Sequence, residues 1–355
     1  MGVSERLEKL QSKMTKKELP SLLISQPENR FYLSGFNGSA GYLLITKEKR
    51  ILATDFRYTE QAAKEAPEYE TFQLKGEIAE WFPKLVIGLK GELGFEAGNL
   101  TFALYQRFNE ALSKAGVKLN LKPTDNIAED LRSVKEPGEV ALIKEAVQIT
   151  DRAFAHIQDR IHAGMTEKNV AWEIEKFMRE HGSEAVAFEA IVAAGPASAM
   201  PHARPSEHAI QPGEPIIIDI GARYESYASD LTRTICLGTP TDKFREVYQL
   251  VLQAQLKAEA EIRAGMTGTE ADAISRKVIT DAGYGDNFGH GLGHGVGLQI
   301  HESPRLGIGS KDILADGMVF SVEPGVYLTG WGGVRIEDTV FMENDRVRPL
   351  TRSRK

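Results

Sequence analysis

The chain has 355 residues, a hydrophobic content of 42% and a formal net charge of −7, which are ordinary values for a soluble globular protein. The acidic balance argues against nucleic-acid binding, no apolar run reaches the roughly 18 residues of a membrane span, and residues 1–23 lack the apolar core of a signal peptide. Cys236 is the only cysteine, which excludes an intramolecular disulfide, and we expect a cytoplasmic protein.

Short apolar runs alternate with helical patterns in the first part of the chain. Strands are predicted over residues 21–25, 41–45 and 49–54, and helices over residues 57–66 and 104–115. Turn-forming residues at positions 35–40 separate the first two strands. This alternation indicates an α/β domain.

The pattern changes around residues 122–138. Residues 122–126 predict a turn, and residues 133–138 predict the entry to a helix. A long amphipathic helix follows, with apolar side chains that include Ile143, Val147 and Phe154. We therefore expect two domains, residues 1–126 and residues 127–355.

The second part contains an internal repeat. Residues 148–166 end in HAGMT and residues 249–267 end in RAGMT, an offset of 101 residues (148 to 249). A helical pattern follows each copy and closes at Gly182 and at Gly283, again 101 residues apart (182 to 283). Such self-similarity predicts two related halves that meet at a common axis.

The repeat resumes in strand-like sequence, where acidic residues interrupt apolar runs. Asp219 and Glu323 occupy matching positions at an offset of 104 residues (219 to 323), and Asp230 and Glu337 lie in segments that also correspond. Burying an unpaired carboxylate is costly, so each of these acids needs a compensating partner.

A metal pair would compensate all four acids at once. A single acid would pair with a nearby arginine such as Arg233 or Arg335, but four acids at matching positions repel one another and need a stronger positive charge. Carboxylates can bridge two divalent ions roughly 3.5–4 Å apart, as in two-metal hydrolases. Oxygen-rich ligation with one imidazole suits Mn²⁺ or Co²⁺ at least as well as Zn²⁺.

Three of the eight histidines, His290, His294 and His301, fall within twelve positions in the glycine-rich residues 288–304. They do not form the His-Glu-x-x-His pattern of helical zinc proteases, because Ser-Pro-Arg follows Glu302. All three could bind metal, or one could bind metal while the others face a substrate. Since four acids already supply most of the ligands, one imidazole is enough to complete the set.

With these motifs the chain resembles the pita-bread metallopeptidases, the clan of methionine aminopeptidase, aminopeptidase P and prolidase. Residues 1–126 resemble the creatinase/prolidase N-terminal domain, including the stretch YLSGFNGSAG, and residues 127–355 resemble the catalytic domain. The resemblance implies an α/β N-terminal domain and an α+β pita-bread (creatinase/aminopeptidase) catalytic domain with an internal pseudo-twofold repeat. It also implies a homodimer.

The resemblance assigns five metal ligands residue by residue. IIIDIGARYESYASDLTRT contains Asp219 and Asp230, GHGLGHGVGLQIHESP contains His294, SVEPGVY contains Glu323 and GVRIED contains Glu337. It implies two divalent ions, with Mn²⁺ as the main expectation and Co²⁺ or Zn²⁺ as alternatives. Because all five ligands are present, a non-catalytic peptide-binding relative, in which the metal set is typically lost, is disfavoured.

The same resemblance suggests roles for the remaining groups. Glu323 would be the general base as well as a ligand, and His301 would stabilise the oxyanion. His202 and His290 would line the substrate pocket. Tyr327 and Arg335 lie beside ligands and are expected to contribute to substrate binding, and Arg335 is also expected to hold a ligating carboxylate in place. The other histidines are expected to be structural: His156, His162, His181 and His208.

Two activities on Xaa-Pro bonds fit the two-domain architecture, because methionine aminopeptidases usually lack the N-terminal domain. Aminopeptidase P removes the first residue from longer peptides, whereas prolidase cleaves dipeptides and needs a cation for the free carboxylate. Arg305 matches a position where prolidases carry such an arginine, although short aminopeptidase P relatives share the pattern. We expect an Xaa-Pro aminopeptidase that acts on proline-containing peptides, with prolidase as the alternative.

Overall fold

The computed structural model describes residues 2–355, which form two compact units. The units are Met1–Arg132 and Ser133–Lys355, so the division falls six positions after the boundary expected at residue 126. Among the helices of residues 2–355, none has the length and apolar character needed to cross a membrane.

The first unit is built on one mixed six-stranded sheet with the order β4-β3-β2-β1-β5-β6. Its strands are β1 (Ser21–Ile24), β2 (Tyr42–Thr46), β3 (Arg50–Thr54), β4 (Glu70–Gln73), β5 (Gly91–Glu96) and β6 (Leu119–Thr124). The helices that begin in this unit are α1 (Val3–Lys16), α2 (Pro27–Ser34), α3 (Thr59–Glu65), α4 (Ile78–Leu85), α5 (Phe102–Lys114) and α6 (Glu129–Ser133). The expected α/β architecture is confirmed.

The turn predicted over residues 122–126 is wrong for its first half. Residues 122–124 continue β6, which pairs in parallel with β5 from Gly91↔Leu119 to Glu96↔Thr124. Pro123 suggested a turn, but β6 is the last strand of the sheet and an edge strand tolerates a residue without a backbone donor. Asn126, with a φ of 55°, is the residue at which the backbone leaves the extended conformation.

The second unit contains two similar halves. Its helices are α7 (Pro137–Gln158), α8 (Glu167–Glu180), α9 (Asp242–Glu261) and α10 (Gly268–Asp281), with 3₁₀ helices at Gly195–Ala199 and Gly285–Asn287. The strands of the first half are β7 (Ala185–Val186), β8 (Ile191–Ala194), β9 (Pro215–Ile220), β10 (Ala222–Tyr224), β11 (Tyr227–Ala228) and β12 (Leu231–Cys236). Those of the second half are β13 (Gly293–Gly295), β14 (Glu302–Leu306), β15 (Val319–Val322), β16 (Gly325–Leu328), β17 (Gly332–Arg335), β18 (Asp338–Glu343) and β19 (Arg346–Pro349).

The strand pairing confirms the internal repeat. One sheet has the order β12-β9-β8, and the other has β14-β13-β15-β18-β19, so β8, β9 and β12 correspond to β13, β15 and β18. Each half also contains an equivalent isolated antiparallel bridge, Thr166 to Ala209 in the first half and Thr267 to Ile313 in the second. Both threonines also cap a helix within a capping box, because the repeated Met-Thr places a hydroxyl before α8 and before α10.

Each half buries apolar side chains between its helices and its sheet. In the first half, Ile157 of α7 and Val170 of α8 pack in one buried cluster with Ile216 of β9. In the second half, Ala258 of α9 clusters with Phe320 of β15. Burial of one large aliphatic side chain contributes about 1.5–3 kcal/mol, so these clusters hold the two sheets rigid. The acids predicted as ligands lie in the strands of this rigid framework or directly beside their ends.

Candidate active site

Four acids occupy equivalent strand positions in the two halves of the second unit. Asp219 lies in β9 opposite Thr232 of β12, and Glu323 directly follows β15. Asp230 and Glu337 directly precede β12 and β18. The exposed fractions are 8% for Asp219, 4% for Asp230 and 1% for Glu337. The repeat therefore places buried carboxylates at the ends of paired strands in both halves.

His294 lies among these acids. Its Nε2 atom is 3.5 Å from Asp230 Oδ2 and 3.2 Å from Glu323 Oε1. One ligand atom from each of Asp230, His294 and Glu337 lies within 4.8 Å of the others. Nδ1 of His294 is 3.1 Å from the carbonyl oxygen of Gly295, to which it donates, so Nε2 is the nitrogen that faces the carboxylates.

The cluster carries more negative charge than its own residues neutralise. Burial, followed by the charges of Glu337 and Asp219, raises the pKa of Asp230 well above its usual range. Burial and the charge of Glu323 do the same to the pKa of Glu337. Burial also opposes ionisation of Glu323, but the hydrogen bond and charge of His294 lower its pKa to about 2. One imidazole thus compensates only one of the carboxylates.

Two carboxylate oxygens in the cluster fit a bound cation. Asp219 Oδ1 and Glu337 Oε1 are buried and have no hydrogen-bond partner within residues 2–355. A buried acceptor without a partner costs about 1–3 kcal/mol, which a cation bound to both oxygens would offset. Several carboxylates with one imidazole nitrogen form a donor set suited to divalent ions. The residues present therefore fit a metal centre.

Arg335 fixes the orientation of two of these carboxylates. Its NH2 group donates to Asp219 Oδ2 at 2.6 Å, and its Nε donates to the hydroxyl of Thr232 at 3.1 Å. The Thr232 hydroxyl in turn donates to Glu337 Oε2 at 2.6 Å. Each of these two carboxylates therefore has one oxygen held by the protein and the other left for a cation.

Both ring nitrogens of His290 are hydrogen-bonded within the protein. Nδ1 is 2.8 Å from the carbonyl oxygen of Gly291, and Nε2 is 2.8 Å from the hydroxyl of Tyr327. Because Arg335 donates to the same hydroxyl at 2.9 Å, Tyr327 donates its proton to Nε2. The His290 ring therefore contributes a surface to the cavity but presents no free nitrogen to a substrate.

A cavity of about 530 Å³ contains the cluster in its lining. Ten of the eleven predicted site residues line it; the exception is Tyr327, which is buried behind His290 and Arg335. Its walls also contain apolar side chains that the sequence did not single out: Phe188, Ile191, Ile300 and Leu306. The cavity thus combines a charged cluster with apolar walls, as binding sites for small molecules commonly do.

Three exposed polar side chains of the lining are free to contact a ligand. His202, His301 and Arg305 are exposed, and their side chains make no hydrogen bond or ion pair with the part of the chain that the structure describes. The His301 ring packs edge-on against His294, with centroids 4.3 Å apart. Partial burial of the ring in the cavity and then the charge of His294 lower the pKa of His301, so its ring is neutral and one nitrogen carries a proton.

The four histidines expected to be structural lie outside the cavity lining. His181 stacks on Phe177 with ring centroids 3.8 Å apart, and His156 contacts the same ring. His208 Nε2 lies 3.0 Å from Glu214. His162 bonds to the adjacent main chain.

The profile of Metallopeptidase family M24 matches residues 141–344, more than half of the chain. The chain belongs to this family. The profile of the Creatinase/Prolidase N-terminal domain matches residues 6–134. This M24 peptidase is therefore a metallopeptidase with the N-terminal and catalytic domains expected from the sequence, and the family implies a divalent metal at the cluster.

Relatives of this M24 peptidase match it over its whole length. An Xaa-Pro dipeptidase of Pyrococcus furiosus is 38% identical over 355 residues, covering 99% of this chain and 99% of that protein. The structure of an Xaa-Pro dipeptidase from Bacillus anthracis superimposes with a TM-score of 0.95 at 42% identity, covering 100% of this chain and 99% of that chain. An X-Pro aminopeptidase from Thermotoga maritima superimposes with a TM-score of 0.88 at 38% identity, covering 98% and 97%.

A buried ion-pair network supports Glu337 from behind in this M24 peptidase. Arg233 donates to Asp338 Oδ1 at 2.7 Å and to the main-chain oxygen of Glu337. Lys355 Nζ lies 2.5 Å from Asp338 Oδ2 and 3.0 Å from Glu259 Oε2. Burial, followed by the charge of Asp338, raises the pKa of Glu259 to about 7.

Glu259→Gln is expected to reduce the pH dependence of stability. Because the folded-state pKa of about 7 lies above the ordinary value of 4.5, ionisation of Glu259 costs stability that is absent at low pH and grows as the pH rises through this range. We expect the variant to gain about 2 kcal/mol relative to the unmodified protein between about pH 5 and pH 7. Urea unfolding at the two pH values measures the gain. A stability difference that is the same at both would contradict the raised pKa.

Sequence reasoning missed Thr232, although the pattern contained a signal for it. Asp230, Thr232 and Thr234 alternate along one strand, and alternate residues of a strand share a face. Their side chains all take part in the polar network, since the Thr234 hydroxyl donates to the carbonyl oxygen of Arg335 at 2.8 Å. The apolar walls carried no such signal, because Phe188 or Leu306 is indistinguishable in sequence from an ordinary core residue.

Proposed function

We propose that the protein is a metal-dependent dipeptidase that hydrolyses the bond between a first residue and a following proline. The observation that carries the proposal is one cavity that contains both the acid and imidazole cluster and the unpaired guanidinium of Arg305. The relatives named Xaa-Pro dipeptidase support the same choice. The proposal reverses the order expected from the sequence, in which Xaa-Pro aminopeptidase came first and prolidase was the alternative.

The proposed metal ligands are the five residues Asp219, Asp230, His294, Glu323 and Glu337, which would hold two divalent ions. Their burial, their mutual repulsion and two oxygens without a partner support this assignment. When bound, such ions lower the pKa of a water molecule and polarise the peptide carbonyl. Mn²⁺ as the metal, a homodimer and a cytoplasmic location stay predictions.

Glu323 is suited to transfer the proton that hydrolysis requires. The hydroxyl of Ser321 donates to Glu323 Oε1 at 3.1 Å, and the Glu323 carboxylate lines the cavity, where it can accept a proton from a water molecule. As water adds to the carbonyl, Glu323 takes one of its protons. Proline leaves as a secondary amine, and Glu323 returns the proton to that nitrogen as the C–N bond breaks.

The exposed side chains of the cavity complete the proposed mechanism. The neutral ring of His301 can donate its N–H to the carbonyl oxygen as this oxygen gains negative charge. The guanidinium of Arg305 can form two parallel hydrogen bonds with the free carboxylate of a dipeptide. His202 is proposed to contact the substrate beside them, and Phe188 and Ile300 supply apolar walls suited to a proline ring.

Arg305→Ala is expected to lower kcat/KM for an Xaa-Pro dipeptide by about 10- to 100-fold, because the variant loses the charge-assisted hydrogen bonds to the substrate carboxylate. The same variant should leave hydrolysis of the corresponding Xaa-Pro amide nearly unchanged, because the amide has no carboxylate to pair with Arg305. Steady-state kinetics on the dipeptide, its amide and an Xaa-Pro-Yaa tripeptide, after chelation and addition of Mn²⁺, Co²⁺ or Zn²⁺, measure both effects.

Arg204→Ala is the matched control for this experiment. Arg204 lines the same cavity, but its Nε lies 3.8 Å from Glu189 and its side chain is largely exposed. We expect a smaller effect, with no distinction between dipeptide and amide. A wild-type preference for the tripeptide would assign the aminopeptidase activity instead. Failure to hydrolyse any of these substrates with any of the metals would refute the peptidase proposal.

A non-catalytic peptide-binding protein on the same fold is the competing class of function. It predicts an incomplete ligand set, whereas all five residues of the proposed set are present and lie around one cavity. Calorimetric titration of the chelated protein with Mn²⁺ distinguishes the two, since the absence of measurable binding would favour the non-catalytic class.

A further inference from the structure

A buried ion pair lies next to His301 and has no part in the proposed mechanism. Lys135 Nζ is 2.6 Å from Glu302 Oε1, and the two side chains are only 1% and 5% exposed. Lys135 belongs to the first residues of the catalytic unit, two positions before α7 begins at Pro137. Glu302 directly follows His301. The pair therefore joins the start of the catalytic unit to the segment that carries a substrate-facing histidine.

The segment between β13 and β14, residues 296–301, is held by hydrogen bonds from a main-chain amide and from the guanidinium of Arg223. The amide of Ala228 donates to the oxygen of Gly297 at 2.8 Å, and Arg223 donates to the oxygen of Leu298 at 3.0 Å. At its far end the segment joins β14, in which Glu302 pairs with Gly295 of β13. The Lys135–Glu302 ion pair adds a side-chain anchor at this end.

The carboxylate of Glu302 fills space that the segment leaves open for it. A Cβ atom at Gly297 would lie only 2.4 Å from Glu302 Oε1, so any side chain at position 297 would displace the carboxylate. The second oxygen of Glu302 accepts from the amide of Gln299 at 3.3 Å. Glycine at position 297 thus allows the carboxylate to lie under the turn of residues 297–299 while it pairs with Lys135.

The position of the His301 ring depends on this backbone. The ring makes no hydrogen bond of its own with the described residues, and its one ring contact is the edge-on packing against His294. A side chain without a polar partner is oriented by its backbone and by packing, and the backbone of His301 is anchored through the next residue. Removing the anchor would widen the range of positions that the imidazole adopts.

We propose that Lys135 and Glu302 are positioning residues whose ion pair places the His301 imidazole for oxyanion stabilisation, an inference that rests on the proposed function. Neither side chain contacts the substrate, and both act through His301. Outer residues that orient an active-site group commonly contribute about 10- to 100-fold to activity. The pair thereby links the segment that precedes α7 to turnover at the proposed metal site.

A double-mutant cycle with His301→Ala tests the inference. Glu302→Gln keeps the shape of the side chain and removes its charge, so we expect kcat on an Xaa-Pro dipeptide to fall about tenfold with KM and bound metal unchanged. In the His301→Ala background the same substitution should cause no further fall, because both changes remove one contribution. Lys135→Met should behave in the same way. If the losses of kcat in the single variants multiply in the double variant, the ion pair does not act through His301 and the inference is overturned.

Glu96→Gln is the matched control for general destabilisation. Glu96 is a buried carboxylate of the first unit that accepts hydrogen bonds from Ser25, Gln26 and Asn29. Any effect it has on kcat should be the same with and without His301. If Lys135→Met fails to fold, Glu302→Gln alone completes the cycle, because it leaves Lys135 an uncharged oxygen to pair with.

A spectroscopic measurement separates failure of this inference from failure of the proposed function. The imidazole C–H resonance of His301, assigned by its absence from His301→Ala, should shift or broaden in Glu302→Gln, whereas that of His202 should not. An unchanged His301 resonance would overturn the positioning role even if the wild-type protein cleaves Xaa-Pro dipeptides. A changed resonance in a protein that cleaves no Xaa-Pro substrate would retain the structural link and refute the proposed function.

Discussion

Replacing Asp230 with asparagine is expected to abolish hydrolysis while it stabilises the metal-free protein. Burial and the charges of Glu337, Asp219 and Glu323 raise the pKa of Asp230 well above its usual range, so the carboxyl group costs stability in the folded state. Removing that cost should raise the free energy of unfolding without metal by about 1–3 kcal/mol. Loss of a proposed ligand removes several kcal/mol of metal assistance and should lower kcat/KM about 1,000-fold or more.

Asp338→Asn is the matched contrast, because it makes the same substitution at an equally buried aspartate with opposite electrostatics. Burial would raise the pKa of Asp338, but the charges of Arg233 and Lys355 lower it, so this carboxylate stabilises the fold. We expect Asp338→Asn to destabilise the metal-free protein by about 3 kcal/mol, the cost of breaking a buried ion pair. Urea unfolding after chelation, with metal content by mass spectrometry, measures both variants. Equal destabilisation of the two would contradict mutual repulsion among the ligands.

The internal repeat accounts for most of what could be predicted from the sequence. Its two offsets reappear as equivalent bridges at Thr166 and Thr267 and as corresponding strands in two sheets. Because Asp219 and Glu323 matched within a repeat, their proximity could be inferred without coordinates. Burying a carboxylate in a strand lowers the stability of the fold. When such destabilising residues recur at matching positions, they indicate a shared function.

Features that depend on contacts between distant segments could not be predicted. Lys135 and Glu302 are separated by 167 positions and belong to no repeated pattern, so nothing in the sequence pairs them. The hydrogen bonding of both ring nitrogens of His290 likewise depends on the position of Tyr327. Pro123 misled the prediction for a different reason, since its tolerance in β6 follows from the position of that strand at the edge of the sheet. These properties are set by tertiary packing, which local sequence does not encode.

The two neighbouring histidines His294 and His301 are expected to fail in different ways when replaced. His294→Ala removes the imidazole whose Nε2 lies among the acids, 3.2 Å from Glu323. It should weaken metal affinity by more than about 100-fold, which exceeds the loss expected for a residue that only orients a ligand. His301→Ala removes an exposed donor that has no partner among the described residues, and should lower kcat about 10²- to 10³-fold, as loss of one oxyanion donor does. Its metal content should equal that of the wild type.

Metal content after dialysis and kcat on an Xaa-Pro dipeptide, measured on the same samples, separate the two outcomes. His208→Ala is the control, because His208 pairs with Glu214 outside the cavity and should change neither quantity. The His301 ring packs on His294. Loss of metal from His301→Ala would therefore show that the His301 ring supports His294 as a metal ligand and does not act on the substrate. Three histidines within twelve positions would then form one metal-binding unit, and the division between ligand and substrate-facing groups would be wrong.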